Sequence, residues 1–444
     1  MHENCVPREE FERIVSQLQT RIAELEARLA RYEGPHAPPS MREIRYPRRE
    51  PTGNPAGKPK GAPGATRKLE HRKPEETIQI KPEKCMRCNY MLGKPIGWIR
   101  QLVEEIPDPQ PAKLIEFQKG VCICPNCGSE NIAADPRCPT KGEFGPRTLA
   151  LVQDMRFRER FSIAMTQRFL RERFGLEISP RGIIDLTSRT ARMLRGSQNM
   201  LAMRTRRSLV VYVDETGFYI NGERVWLWLF ATANDVLVVI RRSRGSRVPK
   251  LILGRDYRGT VVSDCFAAYD LLKKQLENAR FQKCWAHLLR EAKACSQQCE
   301  EGKMLYVKLG DFFAHMKSFL ATCPSAESRR DEFEAALKRL DGLLANEPSE
   351  PRVARLLKRL QRHREDWFTC ILVPNVDPTN NRAERGLRPQ VILRRLRGSL
   401  RSEQGREDHE TITSLMASWE LQEKNPALQL ENELCKIFTE GDFM

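Results

Sequence analysis

Residues 209–243 constrain the fold of this chain more than any other stretch. LVVYVDETGF is a run of β-branched and aromatic residues, NG at 221–222 is a strong hairpin turn, and RVWLWLFATA and DVLVVIRRS supply two more strands. Farther on, GTVVSDCFAAYDLLKKQL reads as strand, acid, helix, and ARFQKCWAHLLREAKA as a short strand running into a helix. Two of these strands are followed by an acid: Asp214 after VVYV and Asp264 after TVVS. Desolvating an unpaired carboxylate costs several kcal/mol. Either each aspartate caps a turn, or a bound cation makes both placements sensible together. Glu215 points to the opposite strand face from Asp214 and is the poorer ligand.

Three antiparallel strands followed by strand–helix alternation match a ribonuclease H-like α/β layout over residues 206–295 and 372–400. Helical stretches such as EFEAALKRLDGLL and VARLLKRLQRHREDWF fill residues 296–371 as an insertion. Residues 401–444 read as C-terminal helices. The chain of 444 residues is long enough for about two or three domains. The expected class is multidomain α+β.

The formal charge of +17 points to a polyanionic partner, and the basic residues recur in every segment. No run of 18 apolar residues occurs, so no membrane span is expected. The N-terminus is acidic and lacks an apolar signal core, which predicts a cytoplasmic protein. Its 14 cysteines are then thiols or metal ligands rather than disulfides.

Over residues 8–33, Phe11, Val15, Leu18, Ile22, Leu25, Leu29 and Tyr32 alternate spacings of four and three. That heptad seam favours a coiled coil between chains, the alternative being an amphipathic helix packed on its own protein. Residues 34–74, rich in Pro, Gly, Lys and Arg, read as a disordered basic linker or spacer. In residues 75–140, Cys85 and Cys88 form one C-x-x-C pair and Cys124 and Cys127 another. Two such turns close a tetrahedron around structural Zn²⁺; Cys122 competes with Cys124 as a ligand, and Cys138 is a spare. Residues 147–205 look all-helical. One helix stops at Gly175, and a second starts at Ser179 and Pro180, which fits either a helix-turn-helix or an ordinary helical hairpin. Arg181, Ser188 and Arg189 are the candidate DNA-facing residues.

DPTNNRAERGLRP at 377–389 holds one glutamate, Glu384, among Arg382, Arg385 and Arg388. Taken alone, Glu384 and Arg388 are an ordinary surface pair at i, i+4. Asn380, Asn381, Glu384 and Arg388 share a helix face. Cys284 and His287 in CWAH have zinc-like spacing but no clear second pair, so they are assigned to the core or to support of the site.

Taken together, VDETGFYINGERVWLWLFATAN, GTVVSDCFAAYD, CWAHLLREA and NNRAERGLRP resemble the transposases of the insertion-sequence 66 family. The N-terminal seam, cysteine pairs and paired helices follow in the same order, so the resemblance runs from about residue 10 to 425. It implies a DDE catalytic triad in a ribonuclease H-like fold, at Asp214, Asp264 and Glu384. Such chemistry uses two Mg²⁺ (or Mn²⁺) ions about 3.5–4 Å apart. Arg382, Arg385, Arg388, Arg394, Arg395 and Arg397 are then candidates for phosphate contacts. The resemblance further implies a bacterial, nucleoid-associated protein that binds double-stranded DNA, both element ends and target. It also implies a homo-oligomer and small accessory proteins of the same element. Two other readings stay open: an inactive DNA-binding regulator, and a nuclease without strand transfer. The segment SWELQEKNPALQLENELCKIF departs from the family's best-known C-terminal pattern, which leaves its role open.

Overall fold

The computed structural model describes residues 8–33 and 73–440, apart from residue 346. The basic linker expected over 34–74 lies outside the described residues except for its last two. By its contacts the chain divides into two units, residues 44–111 and the remainder.

In the smaller unit, the described residues are almost all exposed, and their ordered feature is the turn at Cys85. Cys85 N–H donates to the Tyr90 carbonyl, and Asn89 N–H donates back to the Cys85 carbonyl, both at 2.9 Å. Asn89 takes the left-handed conformation, with φ 58°.

The larger unit begins with helix α1 (Arg8–Glu33), along which Leu18, Ile22 and Leu25 are 42 to 56% exposed. A two-stranded hairpin, β1 (Val121–Ile123) with β2 (Glu130–Ile132), carries the second cysteine pair. Next come α2 (Pro146–Gln153), a π-helical turn at Asp154–Arg158, α3 (Ile163–Phe174), α4 (Pro180–Met193) and α5 (Arg195–Arg207). The punctuation is local, as the sequence predicts. Gly175 closes α3 at φ 61°, the Ser179 hydroxyl accepts Gly182 N–H at 3.0 Å, and Pro180 sits in the first turn of α4.

The sheet has the order β5-β4-β3-β6-β7, comprising β3 (Val210–Ile220), β4 (Glu223–Ala231), β5 (Val236–Arg241), β6 (Thr260–Ser263) and β7 (Arg280–Lys283). The first three strands are antiparallel, and β6 and β7 run parallel to β3. Asn221 and Gly222 both take positive φ, 47° and 82°, as a tight primed hairpin turn requires. Between the strands lie α6 (Arg247–Leu253) and α7 (Ala267–Gln275), and α8 (Trp285–Ser296) follows β7. The insertion is helical, as expected: α9 (Glu300–Ala321), α10 (Ala326–Leu344), α11 (Pro351–Arg362) and the short α12 (Thr369–Leu372). Then come α13 (Asn381–Arg397), α14 (Glu403–Leu421) and α15 (Pro426–Glu440).

Alternation along the strands sends side chains into two cores. Tyr212, Phe218, Leu227, Leu229 and Val238 pack on one face with α8, α13 and the insertion helices. Val211, Val213, Trp228, Phe230 and Val239 pack on the other with α2, α4, α7 and α15. The insertion therefore continues a core of the sheet. Trp285 is its anchor: it stacks on Phe313 at 5.8 Å, and its indole N–H donates to the Trp367 carbonyl at 2.6 Å.

The C-terminal segment, left open by the sequence, has a clear structural task. An edge strand exposes unpaired N–H groups. On α14, Glu410, Ser414 and Ser418 recur every four residues, and their oxygens accept the N–H groups of Ile240, Val238 and Val236 at 2.7 to 2.9 Å. This polar stripe seals the β5 edge. One expectation needs correction. Asp214 is not at a strand end, because β3 continues to Ile220 through its pairing with β4. It is the parallel pairing with β6 that stops just before it, at Tyr212–Val262.

Candidate active site

Continuing the β3–β6 register two places past Tyr212–Val262 sets Asp214 beside Asp264. Neighbouring strands are about 4.8 Å apart. Both aspartates are half-buried. Asp264 lies one residue past β6, and its Oδ1 accepts Phe266 N–H at 2.9 Å, which turns the chain toward α7. Burial holds the Asp214 carboxyl well above the ordinary carboxylate range, and the charges of Glu215, Asp264 and Glu384 push the same way. The charges of Asp264 and Glu384 are thus near enough to act on Asp214.

Glu384 stands in the first turn of α13, and Asn380 fastens that helix start. Asn380 is fully buried. Its Nδ2 donates at 2.9 Å to the carbonyl of Val213, the residue before Asp214, and its backbone N–H donates to Cys284 Sγ at 3.1 Å. The Glu384 carboxylate turns toward α8, with Oε1 3.5 Å from His287 Nδ1 and Oε2 3.9 Å from Arg290 Nη2. Glu384 Oε1 is buried and accepts no hydrogen bond among the described residues. Among the described residues, the one group of three potential ligands with all donor atoms within 4.8 Å of one another is Cys284, His287 and Glu384. Asp214, Asp264 and Glu384 do not form such a group, and Glu384 lies closest to CWAH. Burial pushes the Cys284 thiol up to about 12, so it stays protonated. Asn381 and Arg388 are exposed.

These residues fit a divalent cation. Hard carboxylate oxygens suit Mg²⁺ or Mn²⁺. Asp214 and Asp264 stand side by side, but with Glu384 they do not bring three donor atoms within 4.8 Å of one another; the Glu384 oxygen nearest a second ligand faces His287. Glu215 is not available in the same way. Tyr269 donates to its Oε2 at 2.6 Å and Arg244 to its Oε1 at 2.9 Å, on the far face of the sheet. Burial raises the Glu215 carboxyl to about 7, against the pull of Arg244.

Sequence reasoning missed two residues here. Lys283 is 1% exposed, and its ammonium donates to the Asp264 carbonyl at 3.3 Å and to Asp270 Oδ1 at 3.2 Å. Its only signal was a charge in a strand otherwise fit for burial. Arg290 follows His287 at i+3, so both reach Glu384 from one face of α8.

The arginines divide into two groups. Arg385, Arg388 and Arg395 are exposed. Arg382 donates to the Thr232 carbonyl at 3.1 Å and lies over the Tyr212 ring. Arg394 donates to the Gly217 carbonyl, and Arg397 to that of Phe161 at 2.9 Å, so both tie α13 to its own protein. On α4, Arg181 is exposed and paired with Asp185 at 3.0 Å. Ser188 donates to Asp408 of α14 at 2.5 Å, and Arg189 lies against Gly142; both face the protein rather than solvent.

Each cysteine pair sits in a turn of the same design. Cys124 N–H donates to the Ser129 carbonyl at 2.8 Å, Gly128 N–H donates to the Cys124 carbonyl at 2.9 Å, and Gly128 has φ 71°. The turn at Cys85 repeats this pattern with Asn89 and Tyr90. Backbone N–H groups of Arg87 and Cys88, then the Cys88 thiol, lower the Cys85 pKa; the Ser129 hydroxyl and N–H, then Cys124, lower that of Cys127. Turns that favour thiolate suit a metal. Cys122 and Cys138 are not part of either turn.

Among the described residues, no helix is long and apolar enough to cross a membrane. A comparison with curated proteins finds no match. The model of the family described as Transposase IS66 family matches residues 141–408. This span is narrower than 10–425; it omits α1 and the cysteine turns but includes the paired helices, the whole sheet, CWAH and all three acids. With more than half of its length matched, the chain belongs to the IS66 transposase family.

Proposed function

We propose that this protein cuts the ends of an insertion sequence and joins their 3′-hydroxyls to target DNA. The observation that carries this is the strand register that sets Asp214 beside Asp264, with Glu384 of a distant helix near enough for its charge to act on Asp214. The sheet order and its flanking helices support a ribonuclease H-like catalytic domain. In this reading the three carboxylates hold two Mg²⁺ or Mn²⁺ ions, which when bound activate the attacking water or 3′-hydroxyl and stabilise the leaving oxygen. The protein groups set the stage. Asn380 locks the start of α13 to β3 beside Asp214. Lys283 holds the backbone of Asp264. Arg290 and His287 hold the Glu384 side chain. Arg385, Arg388 and Arg395 offer cations to DNA phosphates.

The remaining parts have proposed roles of the same kind. The two cysteine turns bind structural Zn²⁺ through Cys85, Cys88, Cys124 and Cys127. The α3–α4 pair reads the element ends through the exposed side of α4, where Arg181 lies. The apolar seam of α1 pairs with a second copy, since two element ends must be held at once, and small accessory proteins of the same element complete the assembly. The test joins labelled element-end oligonucleotides to a plasmid in Mg²⁺. Joined product is expected from the wild type and none from Asp264→Asn. Joined product from that variant would overturn the mechanism, and cleavage without joining would make the protein a nuclease.

A further inference from the structure

We propose that a cleft on the far side of α13 from Glu384 takes one unstacked nucleotide of the bound DNA; this rests on the reading of a DNA-processing site. The cleft has a volume of 470 Å³, in the range of pockets that bury a small ligand. On α13, Arg382, Arg385, Gly386 and Pro389 line it, the i, i+3, i+4, i+7 face of that helix. Glu384 projects from the opposite face. One helix diameter of about 10 Å separates the two faces. That distance is roughly three nucleotide steps at about 3.4 Å per step of duplex rise. A strand cut at the acids therefore has a neighbouring nucleotide within reach of the cleft.

The walls suit such an occupant. Arg158, Arg160, Arg382 and Arg385 face a single acid, Glu420, so the cleft is net positive. Arg158 is paired with Asp154, whereas Arg385 is exposed and held by no ion pair among the described residues. Met416, Ala417 and Pro389 give the apolar surface that a base plane needs. At the wall Thr413 is 5% exposed, and its hydroxyl has no hydrogen-bond partner among the described residues. A buried hydroxyl left unmatched costs about 1–3 kcal/mol, so a base that parts the wall far enough to reach it gains that bond. The rim is built from unusual backbone: the π-helical turn Asp154–Arg158, then Arg160 at φ 65°. Both features recur where a ligand is gripped.

The test uses the full chain and duplexes of its element ends. 2-Aminopurine, whose fluorescence rises on unstacking, is walked across the positions flanking the cleaved bond. One position is expected to brighten severalfold on binding, in the wild type and equally in Asp264→Asn, which cannot cut. Ala417→Phe, which fills the cleft, and Thr413→Val, which removes the hydroxyl at constant shape, are expected to lose that signal while still binding the duplex. Unchanged melting temperature checks their folding. If no position brightens although the wild type cuts, or if the signal survives both substitutions, the cleft proposal fails and the catalytic reading stands. If the wild type neither cuts nor binds the ends, both fail.

Discussion

The acid cluster and the cysteine turns are built on opposite principles. Asp214, Asp264 and Glu384 project from elements locked by two packed cores, and Trp285, Asn380 and Lys283 fix the pieces around them. The scaffold sets like charges near one another on elements fixed by their own packing. Around Cys85 and Cys124 the chain is exposed almost throughout, and its strands are three residues long. Such segments cannot bury enough surface to fix themselves, so the proposed zinc would have to supply the folding energy. In the proposed reading the fold would prepare a place for metal in one region, and metal would prepare the fold in the other.

The largest expected effect breaks this comparison cleanly. Zinc chelation, or Cys85→Ser with Cys127→Ser, is expected to unfold the cysteine turns, since structural zinc contributes about 10 kcal/mol or more to such modules. The catalytic sheet should keep its melting transition. Hydrogen exchange on the two regions reads this directly, and simultaneous loss of protection in the sheet would refute the division.

At the acid cluster the sign reverses. Asp214→Asn is expected to lower cleavage by about 10³-fold or more, roughly 4 kcal/mol of barrier. Because it removes one of three repelling carboxylates, the melting temperature should rise or hold. A variant that lost activity by losing its fold would contradict the forced-repulsion reading. Lys283→Met leaves Asp270 without its buried partner and should destabilise by about 3 kcal/mol. Adding Asp270→Asn should recover part of that loss in a denaturant titration.

A pH effect sharpens how α14 joins the sheet. Burial, with Arg397 and Arg156 close by, lowers the His409 pKa to about 3. The folded state then binds fewer protons than the unfolded chain between the unfolded value near 6.5 and that lower value. Stability is therefore present above about pH 6.5 and falls by about 1.4 kcal/mol for each pH unit of acidification through this window. His409→Gln should flatten this slope in melting curves from pH 7 to 4.

Much of the sheet was legible because its signals are local. The NG turn, the strand runs and the Ser179–Pro180 helix start each depend on neighbouring residues alone. The acids at 214 and 264 stood out because charge after apolar strands is costly. Glu384 could not be placed that way: alone it looks like a surface ion pair, and only the resemblance of its surroundings to a known family singled it out. Lys283, Arg290 and the polar stripe of α14 were missed for a related reason. Their partners lie far away in sequence, and nothing within a few residues of Glu410, Ser414 or Ser418 reveals an edge strand waiting to be sealed. The assignment of Arg394 and Arg397 to DNA failed to anticipate their carbonyl partners at Gly217 and Phe161 for the same cause.

The central claim is that acids repelling one another in the free protein are a cation site, and Mn²⁺ binding measured by electron paramagnetic resonance tests it most directly. With element-end DNA bound, the wild type should hold two Mn²⁺ ions per active site, coupled at the separation of about 3.5–4 Å that two-metal chemistry needs. Asp214→Asn should abolish the coupled signal, and Glu384→Gln should leave one ion. Coupled Mn²⁺ that persists in Asp214→Asn and Asp264→Asn, or that disappears only when Cys284 and His287 are replaced, would contradict the account.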